Sequence, residues 1–446
     1  MRKHCQSPLH WPIEYRRFHE DGHGYTPPPF AYPERLVQYS TLRREVYVVT
    51  GSGESSPGRV RGSSGEVRNS SFELLRILAM FMILLHHYVI HNPFPVYDEP
   101  ASVNQFIYTC FMPLGKVGVD IFFGISAWFL CQNPDLSPRK SLKRIWVLER
   151  QMLFYSLLLM LGFVLFDRKG ISRSQIVYSV FPLVSDLWWY PTNYAVFLLF
   201  YPFVTVGLRK MGQRMHGCLA VILLVVWGLA YGLTPNNCVG FLPSTFVGFI
   251  YQYLLISYYR WYLKKASKTL GWSMVGLGSV AILGLVLFGD WMRTFTHDGF
   301  PWMILDYTNG ESKLPLLVVA FGALLVADCT HIRSRLINYL AKGTFGVYLL
   351  HDYPPVRILL WDCFDIRKIW GQDAAVVYSL ALVLLIFMVC LAIDLIRDHL
   401  FALTIDRHKG RWFDLLADRI QSSHAARRCK QYLLSIHRGQ FRVSET

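Results

Sequence analysis

The chain has no pair of cysteines in C-x-x-C spacing, and its nine cysteines are scattered. Several of them, Cys131, Cys218 and Cys390, lie in or beside apolar runs. This excludes a disulfide framework and a cysteine-ligated zinc site as organising features. Charge is also scarce. Asp, Glu, Lys and Arg make up 17% of the residues, against 53% apolar and 15% aromatic; soluble domains average about 25% charged. The apolar residues come in blocks, several approaching the ~20 residues that cross a bilayer. Acidic residues are the scarcer sign, 30 against 45 basic. The basic excess falls at the ends of apolar runs and in both tails, so it reads as membrane topology and not as a nucleic-acid surface. Residues 1–70 lack an apolar core, so no cleavable signal peptide is expected there.

What is present is a polytopic pattern. The expected fold is all-α, a bundle of about ten transmembrane helices with no soluble domain beyond polar tails. Residues 1–70, with Thr26-Pro27-Pro28-Pro29 and the stretch Gly51 to Gly65, read as a disordered basic tail. Residues 71–400 form the membrane domain and 401–446 a second basic tail, with an amphipathic stretch from Trp412 to Ile420 suited to the membrane surface. The ten candidate spans are roughly 72–91, 112–131, 145–166, 189–208, 216–233, 239–258, 272–289, 314–328, 335–352 and 374–396. A short interfacial helix is expected over 172–187.

Loop charges orient the bundle. Arg139/Lys140/Lys143/Arg144, Arg209/Lys210/Arg214, Arg260/Lys264/Lys265/Lys268 and Arg333/Arg335 all fall on one side. The alternate loops 92–111 and 234–238 hold no Lys or Arg, while 290–313 carries Asp290, Asp298, Asp306 and Glu311 against Arg293 and Lys313. The positive-inside rule then places both termini in the cytoplasm. Arg168/Lys169/Arg173 and Arg357/Arg367/Lys368 are exceptions on the outer side.

Arg76 and His87 stand eleven residues apart in the first span. That is almost three helical turns, so both leave one face, roughly 16 Å apart along the axis. Ionisable groups at such depth face a bundle interior or a water-filled cavity. His86 points about 100° away. In the second span, which runs the other way, Asp120 arrives at nearly the depth of His87. A carboxylate beside an imidazole would fix its tautomer and raise its basicity; a structural Asp paired with Lys or Arg is the simpler alternative. Gly115, Gly118, Gly124, Ser126 and Ala127 in that span suit close helix packing. Lys140, Lys143 and Arg144 would gather near Arg76 and suit a phosphate-bearing ligand, although each alone is also an ordinary topology signal. Glu149-Arg150 is a charged pair within a span. His351 and Asp352 end the ninth span at its outer edge, where a binding role for His351 is one option.

Four motifs in order carry a resemblance. Arg76 and His87 match an R-x10-H pattern. Gly118-Val119, Phe122-Phe123 and Ser126 match G-V-x-x-F-F-x-x-S-G, with Ala127 in place of the final glycine. Trp188-Trp189-Tyr190-Pro191-Thr192-Asn193-Tyr194-Ala195, running on to Tyr201-Pro202-Phe203, is similar to a W-F-x-T-A-Y…S-P-F segment, and Thr344 to His351 is similar to a late G-x-Y-L-x-H motif. Over roughly residues 70–400 the chain resembles acyltransferase family 3 of integral-membrane acyltransferases.

The resemblance implies O-acylation, most often O-acetylation, of a hydroxyl in a surface polysaccharide or envelope glycan. Acyl-CoA, most commonly acetyl-CoA, would be the donor, with no permanently bound cofactor and no metal. The partners expected are acyl-CoA, a polysaccharide or lipid-linked glycan acceptor and the lipid bilayer, without nucleic acid. The location implied is a bacterial cytoplasmic membrane. The family holds its R-x10-H pair essential, and that expectation passes to Arg76 and His87. Its R-x-x-R motif is matched only by Arg144, with Ser141 three residues before it. On this reading Arg76, Lys140, Lys143 and Arg144 hold the donor's phosphates. His87, oriented by Asp120, acts as general base, and Ser126 is the nearest hydroxyl nucleophile. A multi-span transporter or glycan flippase is the alternative. An internal repeat would favour it, and none is found.

Overall fold

The computed structural model describes residues 69–422 apart from 95, 97–98, 100–101, 233–244, 296–309, 312 and 406–409. The expected tail over residues 1–70 lies almost wholly outside them, as do the loop 234–238, most of the loop 290–313 and the end of the second tail. Every regular element among the described residues is helical. In chain order these are α1 (Ser71–Ile90), α2 (Val103–Leu130), α3 (Pro138–Phe166), α4 (Arg173–Val180), α5 (Trp189–Leu223), α6 (Thr245–Tyr262), α7 (Lys268–Phe295), α8 (Leu314–Asp328), α9 (Arg335–Leu340), α10 (Thr344–His351), α11 (Pro354–Cys363), α12 (Ala375–Leu403) and α13 (Arg411–Ser422).

Six described helices are long and apolar enough to cross a membrane, and Leu314–Asp328 is a shorter apolar one. The expected count of ten separates where the chain bends. The spans 189–208 and 216–233 lie in one continuous helical stretch, α5 running on through a π-helical turn to Ala230, with a kink at Gly212. Gly212 has φ +73°, a left-handed backbone that glycine reaches without steric cost. The expected span 335–352 is broken instead. It forms α9, a 3-10 turn over Ala341–Gly343, and α10. Helix starts follow their sequence signals: the hydroxyls of Ser102, Ser172 and Ser334 accept from the backbone N–H three residues on. Pro138 and Pro354 sit in first turns, where a missing N–H costs nothing.

Small residues set the helix contacts. A Cβ on Gly115 would stand 2.2 Å from that of His86, and one on Gly118 would stand 2.6 Å from the Ala79 carbonyl oxygen. The α1–α2 seam therefore requires glycine at both positions. The imidazole of His86 is packed over Gly115, which gives it a structural place on the seam.

A second seam joins α3, α10 and α12. Asp394, fully buried, accepts from Tyr155 Oη at 2.6 Å, from Gln151 Nε2 at 3.1 Å, and from Arg397 Nε and Nη2, each at 2.9 Å. Gly346 of α10 lies directly against this carboxylate. Asp394→Ala leaves the Arg397 guanidinium buried without its fork partner, and removing one member of such a pair costs about 3–5 kcal/mol. Thermal unfolding of the purified protein should show a correspondingly lower melting temperature; an unchanged one would mean that the pair contributes nothing to the packing of α12.

Candidate active site

The last turn of α1 and the last turn of α10 meet at two histidines. His87 Nδ1 lies 2.8 Å from His351 Nε2, and His351 Nδ1 lies 2.6 Å from the Val347 carbonyl oxygen. Both rings are buried. A carbonyl only accepts, so Nδ1 of His351 carries its proton, and in a neutral imidazole Nε2 is then the acceptor. His87 must donate from Nδ1. Its Nε2 is left with a free lone pair. Two contacts in series, the second anchored on the Val347 carbonyl, thus select one tautomer of His87 without help from a carboxylate.

Asp352, which caps α10, adds charge from the side. Its Oδ1 is 3.8 Å from His87 Nδ1 and 3.8 Å from Nε2 of His91, and it accepts from Arg357 Nη1 at 3.2 Å. Ligand atoms of His87, His91 and Asp352 lie within 4.8 Å of one another, a spacing able to hold a metal ion. His87 Nδ1 is already engaged by His351, and Asp352 Oδ1 by Arg357. Neither His91 nor Arg357 is among the expected site residues; Arg357 stands in the sequence only as a topology exception on the outer side. The i, i+4 spacing of His87 and His91 was the available signal, since it places both rings on one helical face.

His87 also lines a small cavity of about 20 Å³ with Met80, Ile83, Phe122, Tyr190 and Tyr348 among its walls. From there aromatic rings of α5 run as a ladder. Tyr190 and Tyr194 stack at 6.2 Å, Tyr194 and Phe197 at 6.2 Å, and Phe197 meets Tyr201 at 6.2 Å. Arg76 pairs with buried Glu73 one turn before it and is close enough to act electrostatically on Tyr190 and Tyr194. Tyr194 also interacts with Ser126 and Arg144. Arg144 donates to the Tyr201 hydroxyl at 3.2 Å, with its guanidinium 5.7 Å from the ring centroid. The structure therefore brings Arg76, Ser126 and Arg144 to one tyrosine ladder that leads to His87.

Three expected placements are corrected. Asp120 does not orient His87. It hydrogen-bonds with Gln252 of α6 and borders an apolar cavity of about 290 Å³ with residues of α6 and α8. The reason is azimuth: Gly118 faces α1, and two residues further on a helix turns by about 200°. Lys140 and Lys143 do not gather around Arg76. Lys140 pairs with Asp135 at 2.6 Å, and Lys143 reaches Asp414 of α13 at 2.6 Å. Asp135 and Asp414, both at the surface, have their carboxyls held below the usual range by hydrogen bonds from those two lysines. Only Arg144 of the cluster turns inward.

A family model describing an acyltransferase domain matches residues 69–396, from the residues just before α1 almost to the end of α12. No curated protein and no solved structure matches the chain. The match covers well over half of the sequence and contains the paired histidines, the tyrosine ladder and both arginines, so the chain belongs to acyltransferase family 3.

Proposed function

We propose that this membrane acyltransferase moves an acetyl group from acetyl-CoA to a hydroxyl of a cell-surface polysaccharide or envelope glycan. The observation that carries the reading is the relay from Val347 through His351 to His87, which leaves His87 Nε2 unprotonated at a cavity. An acceptor hydroxyl there gives its proton to Nε2 as its oxygen attacks the thioester carbonyl. The carbon–sulfur bond breaks, and the imidazolium returns the proton to the departing CoA sulfur. The products are an ester and free CoA. Asp352, at 3.8 Å, stabilises the imidazolium while it exists.

Arg144 and Arg76, spaced along the tyrosine ladder, suit the donor's phosphates, where guanidinium forks grip phosphate best. Lys140 and Lys143, paired with Asp135 and Asp414 at the surface, take no part in this reading. Ser126, interacting with Tyr194, lines the donor path and is not required as a nucleophile in direct transfer. The site needs no permanently bound cofactor for this chemistry. The protein would be multi-pass in a bacterial cytoplasmic membrane, with both termini in the cytoplasm on the basic side.

Purified protein supplied with acetyl-CoA and an envelope-glycan fraction should release CoA thiol only when both are present. Equal release without the glycan would show hydrolysis in place of transfer, and no release under any acceptor condition would reject the reading.

A further inference from the structure

The carboxyl of Asp120, which takes no part at His87, faces a cavity of its own. That cavity, about 290 Å³, lies between α2, α6, α7, α8 and the π-helical turn after α5. Its walls are mostly apolar, with Leu255, Met274, Leu317, Phe321 and Leu324 among them. Asp120 is only 1% exposed. Its Oδ1 accepts from Gln252 Nε2, and its Oδ2 has no hydrogen-bond partner among the described residues. The Tyr251 hydroxyl, near enough to interact electrostatically with Asp120, is likewise buried without one. Two polar groups left unpaired beside apolar walls are costly until something completes them. The charges nearby narrow what that can be. Lys116 and Glu311 pair with each other at 2.6 Å, and both act on Asp120. An incoming anion would meet Glu311 and a second cation would meet Lys116, while the walls desolvate a charge of either sign. An uncharged group that both donates and accepts meets neither obstacle, and a hydroxyl is such a group.

We propose that this cavity binds a long-chain alcohol, with its hydroxyl on Asp120 and its hydrocarbon chain against the apolar walls. The form is that of small-molecule sites in general, mostly apolar with a few placed polar groups that fix orientation. The volume suits a chain. An apolar cavity of about 150 Å³ takes a benzene ring, so about twice that volume has room for roughly twelve carbons. An entry side is also present. Leu224, Leu255 and Tyr258 line both this cavity and a wider groove of about 930 Å³ along α5 and α6. Val221 and Ile222 of that groove are exposed, so it faces the lipid in which such an alcohol dissolves. Acetyl transfer plays no part in this proposal.

The test uses the full-length protein in phosphatidylcholine nanodiscs and a dodecanol carrying a mid-chain diazirine, with the photolabelled residues identified by mass spectrometry. Label is expected on the cavity residues of α6 and α8. At equal mole fraction in the bilayer, 1-dodecanol should compete with it about tenfold better than dodecane, the difference that one net hydrogen bond makes. Asp120→Leu should erase that preference while labelling persists. Ala320→Phe, on the α8 wall, should fill the cavity and abolish the label there. The competition in wild type needs no variant, so it decides the matter even where a variant fails to fold. Equal competition by dodecanol and dodecane in wild type would overturn the proposal, as would an alcohol preference that survives in folded Asp120→Leu. Undiminished label in folded Ala320→Phe, or stronger competition by dodecylamine than by dodecanol, would do the same.

Discussion

His87→Ala is expected to lower kcat for acetyl transfer by roughly 10²–10⁴-fold, the range in which a positioned general base contributes, with KM for acetyl-CoA little changed. The split follows from the geometry. In the proposed reaction the imidazole meets the acceptor hydroxyl at the cavity that His87 lines, whereas Arg76 and Arg144, the proposed phosphate holders, lie along the tyrosine ladder. A ring deleted from the cavity leaves donor binding in place but removes the proton acceptor. Arg144→Ala should do the opposite in kind, raising KM for the donor more than it lowers kcat. Steady-state kinetics on the two variants separate the roles; a kcat unchanged in His87→Ala would remove it from the chemistry.

His351→Ala carries the second largest expected effect, a loss in kcat on the order of 10²-fold or more, although His351 touches no reacting atom. Its Nε2 is what obliges His87 to donate from Nδ1. Without that acceptor His87 turns to the other tautomer part of the time or tilts toward Asp352, and a wrong tautomer is nearly as damaging as a missing base. In the proposed reaction His351 is a positioning residue. A purely structural role predicts that activity falls in step with melting temperature. The positioning role predicts instead that His351→Gln, whose side-chain oxygen can still accept from Nδ1, recovers much of kcat. It also predicts an altered pH–rate profile in His351→Ala, with KM for acetyl-CoA nearly unchanged. If the glutamine variant were as inactive as the alanine one while equally stable, the relay would not govern the tautomer.

The sequence made the first-span geometry readable because helical spacing alone decides it. Eleven residues place Arg76 and His87 on one face whatever surrounds them, and the apolar runs located the long helices, six of which among the described residues are long and apolar enough to cross a membrane against the ten expected. Depth was also readable, and it misled. Asp120 lies in a buried stretch of α2 as expected, but its side is set by Gly115 and Gly118, which turn the opposite face of α2 to α1. The glycines were visible as packing residues. Combining their azimuth with that of Asp120 would have sent the carboxylate away from His87. Neighbouring cations diverged for the same reason. Lys143 and Arg144 leave their helix about 100° apart, one toward α13 and the other toward Tyr201.

The pairing of His87 with His351 was beyond reach of spacing, because it joins residues 264 positions apart. It also depends on the break that turns the expected ninth span into α9, a 3-10 turn and α10. Gly343 packs against Leu391, and Gly346 packs against Asp394. Those two contacts seat α10 on α12. Only in that seating does the α10 terminus bring His351 and Asp352 to His87. The motif Thr344 to His351 was legible as a unit; its partner was not.

Transfer of labelled acetyl from acetyl-CoA to the same envelope-glycan fraction, measured side by side in wild type, His86→Ala and His87→Ala, tests the account most directly. His86 packs over Gly115 and takes no part in the relay, so its loss should lower stability while the protein that remains folded keeps transferring label. His87→Ala should be folded and nearly inert. Label transfer surviving in His87→Ala, or abolished in a folded His86→Ala protein, would contradict the assignment of His87 as the catalytic base.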